Sequence, residues 1–211
     1  TDLAVLGLGA ITVPVYPNNT NEDLHYILND SEAKVLVVEN DSHLGKWKSV
    51  AKNCSSVKHV FAFNTKNLSP AEAEPQNWLE LLRFGRGQLK SDHLTFLNSA
   101  KKIERTDSAT ILYTSGTTGQ PKGVLLTHAQ VMSELEDVFS IIPVTTEDMA
   151  LTFLPFSHVF GRVELWGSVY AGYTLCFAES IEQLRNNLQE VRIPGTPHAG
   201  LLTTTSFLNR F

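Results

Sequence analysis

Cysteine is scarce in this chain: Cys54 and Cys176 are the two among 211 residues, and no metal-ligand or redox spacing joins them. A disulfide framework and a cysteine-built metal site are therefore set aside, and both residues read as buried free thiols in a reducing compartment. Clustered positive charge is lacking too. The 17 Lys+Arg are scattered along the sequence against 22 Asp+Glu, for a formal charge of −5, which leaves no footprint for nucleic acid. No apolar run reaches the length of a membrane span. The apolar opening at residues 3–15 is not read as a signal peptide: it has Asp2 in place of a basic leader, contains Pro14 and lacks a cleavage region. There is no internal repeat and no low-complexity tract. What remains, at 42% hydrophobic residues, is a chain with enough apolar area for a sizeable core, expected to be soluble and cytoplasmic.

Hydrophobic periodicity then sets out an alternating order of elements. Residues 2–11 predict a short apolar helix, and residues 12–16 a strand that Pro14 confines to an edge or bulge. Thr20 and Asp23 approximate a capping box for a helix over 22–29 whose apolar face is Leu24, Ile27 and Leu28. Strands follow at 33–38 and 57–63, with a helix around 44–51 between them. This order predicts an α/β protein with a mostly parallel sheet flanked by helices. Residues 64–76, with Pro70 and Pro75, read as a surface loop, and Trp78, Leu81 and Leu82 begin a helix expected to end near Gly85 or Gly87. Residues 90–107 read as a connection of mixed character.

Further along, Thr127 and Gln130 would cap a helix with Val131, Leu135, Val138, Phe139 and Ile142 on one side. A strand at 149–154, a helix at 159–171 and a strand at 173–177 follow. Ser180 and Gln183 would cap a last helix, apolar at Ile181, Leu184, Leu188 and Val191. Residues 192–200, with Pro194, Gly195 and Pro197, fit no element, and 201–211 regain an apolar, hydroxyl-rich character.

The stretch richest in chemistry is 113–123, Tyr-Thr-Ser-Gly-Thr-Thr-Gly-Gln-Pro-Lys-Gly. It offers almost no apolar area, but it carries the hydroxyls of Thr114, Ser115, Thr117 and Thr118, a glycine turn that frees backbone N–H groups, and the ammonium of Lys122. Such a donor set suits phosphate oxygens. Strands are predicted on both sides, at 109–113 and 123–127. Glycine and hydroxyl residues between two strands ordinarily mark only a hairpin connection. Nor is this the Walker pattern, since Gln120 and Pro121 separate Gly119 from Lys122.

The whole eleven-residue string resembles the phosphate-binding signature of the adenylate-forming superfamily, which includes acyl-CoA synthetases, luciferases and the adenylation domains of peptide synthetases. Residues 15–17 (Val-Tyr-Pro), 22–29 and 30–35 (Asp-Ser-Glu-Ala-Lys-Val) are similar to the long-chain fatty acyl-CoA synthetase branch. So is Leu-Pro-Phe-Ser-His-Val-Phe at 154–160, although Gly161-Arg162 stands where that branch commonly has Glu-Arg. The resemblance runs from the first residue to about residue 191. It implies part of the large N-terminal domain of the adenylate-forming fold. The Tyr-Gly-x-Thr-Glu segment, the ribose-binding aspartate and the C-terminal domain with its lysine are not found in these residues. The chain is accordingly expected to be an interior fragment, residues 1–211 forming a partial N-terminal domain that does not complete catalysis alone.

The resemblance further implies a carbon–sulfur ligase that activates a fatty acid with ATP to acyl-AMP and passes the acyl group to CoA. Thr114, Ser115, Gly116, Thr117, Thr118, Gly119 and Lys122 would hold the phosphates, Thr114 would help place Mg²⁺, and His158 would meet the acyl carboxylate or α-phosphate. By residue type alone, Lys122 is a solvated surface charge, His158 a structural histidine and His128 simply the first residue of its helix. Trp166 and Tyr170, four apart, read as core. Another adenylating ligase, acting on an aryl or amino acid, and a non-catalytic nucleotide-binding fragment are the competing readings. Oligomeric state is left open, and peripheral contact with a membrane is compatible with the sequence.

Overall fold

The computed structural model describes residues 1–64, 76–114 and 120–191, and the backbone of Leu201–Thr203. The chain divides into two compact units, Thr1–Thr127 and His128–Phe211.

In the first unit, helix α1 (Asp2–Gly7) is followed by α2 (Asn21–Asp30), strand β1 (Val35–Asn40), α3 (Asp41–Val50) and β2 (His59–Asn64). The capping box at the start of α2 is present in both directions. Thr20 Oγ1 accepts from the Asp23 N–H at 3.0 Å, and Asp23 Oδ2 accepts from the Thr20 N–H at 3.1 Å. It opens the helix at the register that buries Leu24, Ile27 and Leu28. Leu24 and Leu28 pack with Val50 and Cys54, while Val38, Leu44, Val60 and Ala62 form a neighbouring cluster. β1, β2 and the two-residue β3 (Gln76–Asn77) form a parallel sheet in that order.

The segment expected as a strand at 12–16 makes only one ladder step, a parallel bridge between Thr12 and Thr110. Pro14 has no N–H to continue it. Helix α4 (Trp78–Ser91) runs through Gly85 and Gly87 instead of ending there. Asn77 caps it through Leu79 N–H at 2.8 Å, and Trp78 stacks on Phe63 at 4.3 Å. Those anchors offset the roughly 1 kcal/mol that each glycine costs a helix. A short helix α5 (Thr95–Ala100) lies within the stretch read as irregular. β4 (Ser108–Thr114) and β5 (Lys122–Thr127) close the unit as an antiparallel pair.

In the second unit, α6 (His128–Ile141) starts at His128 and buries Leu135 and Val138, with Ile142 just beyond its end. β6 (Met149–Thr152) is the middle strand of a parallel sheet, between β7 (Thr174–Phe177) and β8 (Leu201–Thr203). Helix α7 (Val159–Ala171) connects β6 to β7, with the bounds that the sequence predicts. The last helix, α8 (Leu184–Val191), departs from expectation. Ile181 lies outside it and is 70% exposed, and its buried residue is Asn187, whose Oδ1 accepts from Glu179 N–H. Leu184, Leu188 and Val191 are half-buried, as expected, and Asn187 adds a polar anchor among them. Residues 65–75, 192–200 and 204–211, where the sequence reading placed a loop and a C-terminal stretch, lie outside the described residues.

Replacing Thr20 with Ala removes one partner of the capping box and should lower unfolding free energy by about 1 kcal/mol. Urea denaturation should show the midpoint falling with an unchanged slope; an unmoved midpoint would mean that α2 is held by packing alone.

Candidate functional site

The loop singled out by sequence joins β4 to β5. Cross-strand pairs run from Ser108 opposite Thr127 to Thr114 opposite Lys122, with a register shift between Ser108 and Thr110. Thr114 and Lys122 thus face each other at the mouth of the hairpin, and both are exposed. Ser115, Gly116, Thr117, Thr118 and Gly119 lie outside the described residues.

β4 is held on its other side by the chain near Thr12. Thr12 N–H donates to Ala109 C=O at 3.0 Å, Ile111 N–H donates to Thr12 C=O at 2.9 Å, and the buried Thr110 hydroxyl adds a third bond to that carbonyl at 2.8 Å. Tyr113, the last buried residue before the loop, is clamped more tightly. Its hydroxyl donates to Asp30 Oδ2 at 2.6 Å, and its ring lies edge-on to Tyr26 with centroids 6.4 Å apart. Its cross-strand partner is Gly123, where an added Cβ would sit 3.1 Å from the Tyr113 ring and 3.0 Å from Ile111. The glycine leaves room for the aromatic ring to lie against the opposite strand. Burial, then the hydrogen bond to Asp30, raises the Tyr113 pKa well above the ordinary tyrosine value.

His158 belongs to the second unit, between the end of β6 and the start of α7. It is the N-cap of α7: its Nδ1 accepts from Phe160 N–H at 3.3 Å, and its ring stacks on Phe160 at 5.6 Å. An accepting Nδ1 puts the proton of the neutral ring on Nε2. The exposed imidazole therefore offers a donor. The placement follows from the parallel sheet, since loops at the carboxyl ends of such strands are where α/β proteins present chemistry.

The Gly161 departure has a steric reason. A Cβ there would stand 2.6 Å from the Pro155 carbonyl oxygen and 3.2 Å from that of Leu154. The loop before His158 folds back on the first turn of α7 so closely that only glycine fits.

Sequence reasoning missed the charges behind this turn. Arg162 and Glu164 are both buried on α7; the Arg162 guanidinium lies 4.4 Å above the Trp166 ring, and Glu164 accepts a hydrogen bond from the Thr152 hydroxyl. The Tyr173 hydroxyl donates to the Glu164 backbone carbonyl at 2.8 Å, and burial, with the Glu164 charge second, raises its pKa. Two charged residues flanking Val163 in an otherwise apolar helix were the signal available. Trp166 is core, as expected, whereas Tyr170 is 46% exposed, with its ring centroid 5.9 Å from that of the half-buried Phe139. A groove of about 230 Å³ near Tyr16, Leu24, Val38 and His43 contains none of the expected site residues.

Two outcomes test this geometry. Gly161→Ala should destabilise the chain by about 1–3 kcal/mol, because a carbonyl cannot yield as a side chain can; a thermal midpoint equal to the parent's would refute the close approach. For Tyr113, an unfolded tyrosine ionises near pH ~10 while the folded one stays protonated. Stability is therefore whole below that pH and is lost as pH climbs through the higher folded value. Urea melts at rising alkaline pH should weaken more steeply for the parent than for Tyr113→Phe, and parallel curves would count against the buried hydroxyl.

Comparison with known proteins bears on this arrangement. The family model described as "AMP-binding enzyme" matches residues 1–196. The long-chain-fatty-acid–CoA ligase FadD15 of Mycobacterium bovis is 32% identical over 185 residues, covering 87% of this chain and 29% of that protein. The long-chain-fatty-acid–CoA ligase ACSBG2 of Xenopus laevis is 26% identical over 183 residues, covering 84% and 24%. Among solved structures, the inhibitor-bound N-terminal domain of FACL13 from Mycobacterium tuberculosis shares the fold with a TM-score of 0.64 at 22% identity, over 88% of this chain and 42% of that one. ATP-bound MatB from Rhodopseudomonas palustris superposes with a TM-score of 0.64 at 20% identity, over 90% and 34%. The chain spans less than a third of the length of these two ligases. Its fold is that of adenylate-forming N-terminal domains, and with a match that extends from its first residue to residue 196, the chain belongs to the AMP-binding enzyme family.

Proposed function

We propose that the protein to which this chain belongs is a long-chain fatty acid–CoA ligase, and that the β4–β5 hairpin is its triphosphate cradle. The observation that carries the reading is the pairing of Thr114 with Lys122 at the exposed mouth of a hairpin in a family that binds AMP. A hydroxyl and an ammonium side by side offer a donor and a full positive charge to phosphate oxygens.

In the first half-reaction the fatty acid carboxylate attacks the α-phosphorus of ATP. The new bond joins carboxylate oxygen to phosphorus, and pyrophosphate leaves with the electrons of the broken P–O bond. In the second, the CoA thiol attacks the acyl carbon, loses its proton and expels AMP. Most of what the protein supplies to such steps is position and charge compensation. Lys122 compensates the negative charge of the β- and γ-phosphates, and Ser115, Gly116, Thr117, Thr118 and Gly119 contribute N–H and hydroxyl donors. Gly123 keeps the strand thin enough for Tyr113 to brace the loop. His158 presents its Nε2–H to a carboxylate or phosphate oxygen while Nδ1 stays engaged at the helix cap.

Mg²⁺ fits the donor chemistry at Thr114, whose exposed hydroxyl is a hard oxygen ligand, while no group of three or more His, Cys, Asp or Glu suited to a metal occurs among the described residues. Bound with ATP, the ion would neutralise phosphate charge. The free thiols, Cys54 buried as expected and Cys176 only half-buried, are in keeping with a cytoplasmic setting. No helix among the described residues is long and apolar enough to cross a membrane, so contact with a bilayer, where long-chain acids reside, would be peripheral.

Replacing Lys122 with Ala in the full-length protein should weaken ATP use in pyrophosphate exchange by at least about tenfold, the equivalent of roughly 1.5–3 kcal/mol for a lost charged contact. An unchanged ATP dependence would remove Lys122 from the phosphate site. Exchange measured over a panel of acids should be fastest with a long-chain fatty acid. A higher rate with an aryl or amino acid would move the protein to another branch, and release of ADP would end the adenylation reading.

A further inference from the structure

Helix α4 has no buried residue, although it is four turns long and rich in leucine. Trp78, Leu81 and Gly85 are its half-buried positions and mark the side turned toward the protein. At 100° per residue the flank beside Trp78 collects Leu79, Leu82 and Leu89 together with Arg83, Arg86 and Lys90. All six are exposed, the leucines at 58%, 41% and 51%. The one acid of the helix, Glu80, falls outside that arc.

The composition of the neighbourhood points the same way. Residues 78–103 contain five Lys/Arg against two Asp/Glu, and the rest of the chain contains 12 against 20. The cations at 83, 86 and 90 look scattered in sequence; helical spacing brings them onto one face. An acidic protein thus carries a local basic face interleaved with exposed leucine.

We propose that this face of α4 is a docking surface for an anionic lipid bilayer. Charge complementarity and the mixture of side chains decide the occupant. Leucines of an interfacial helix sink into the boundary between headgroups and acyl chains, while the long stems of Arg and Lys let their charges reach anionic headgroups from the same face. An acidic protein partner would satisfy the cations but leave three leucines to find an apolar groove. The helix is too short to span a bilayer and lies along its surface. The inference stands apart from the ligase reading, since it needs no nucleotide and no turnover.

Co-sedimentation of the 211-residue chain with vesicles tests it, comparing phosphatidylcholine alone with phosphatidylcholine mixed with phosphatidylglycerol. The chain should partition onto the mixed vesicles and be released as salt rises. The triple variant R83Q/R86Q/K90Q should lose about fivefold in partition coefficient per cation, on the order of a hundredfold in all. Leu79→Ser combined with Leu82→Ser should also weaken binding, while far-UV circular dichroism reports whether each variant is folded. Equal binding to both vesicle types, indifference of the parent chain to salt, or full binding by the folded triple variant would each overturn the proposal. So would capture by polyglutamate with no vesicle binding, which would assign the face to an acidic protein.

Discussion

The 2.6 Å hydrogen bond from Tyr113 to Asp30 ties two distant parts of the chain together. Asp30 ends α2, whose start is set by the Thr20–Asp23 capping box and whose apolar face packs into one of the core clusters of the first unit. Tyr113 ends β4, where the polar loop begins. A loop sequence with almost no apolar area supplies no packing of its own, and the two strand ends that flank it are held by the rest of the fold. One end is fixed by Tyr113, wedged between Asp30, Tyr26 and the space left by Gly123. The other is fixed by the antiparallel ladder that sets Lys122 opposite Thr114.

The second unit solves a related problem differently. His158 stands on the first turn of α7, and that turn is locked by backbone approach rather than by a side-chain bond. With the Pro155 carbonyl 2.6 Å from where a Cβ would be, residue 161 has no freedom to carry a side chain. Directly after it, Arg162 and Glu164 are buried, and each has compensating contacts: the guanidinium lies over Trp166 and the carboxylate accepts from Thr152. Buried charges without such contacts would be costly.

The amphipathic reading of α4 belongs to a different level of organisation. Neither site element requires this face, and in one dimension the sequence around it shows only a local excess of basic residues. Only winding at 3.6 residues per turn sorts the cations and leucines of the helix into one arc.

Much of the architecture was legible because it rests on local rules. Thr20 and Asp23 announce a capped helix, Leu24, Ile27 and Leu28 its buried face, and residues 159–171 a helix between two strands. The loop string at 113–123 marks a family whatever its neighbours, because a run of hydroxyls and glycines has no structural reason to be so long. Where local rules failed, tertiary contacts outweighed them. Pro14 cut a strand to a single bridge, and Trp78 on Phe63 helped to carry a helix past two glycines. α8 took Asn187 inward because Glu179 could satisfy its amide. Sequence by itself determined which segments are apolar, capped or rich in phosphate-suited donors, since those properties reside in neighbouring residues. Tertiary structure alone decided that Asp30 braces Tyr113, that Gly161 must lack a side chain, and that Arg162 and Glu164 are buried. Each of these depends on atoms brought together by folding, and no period or spacing in the chain encodes that meeting.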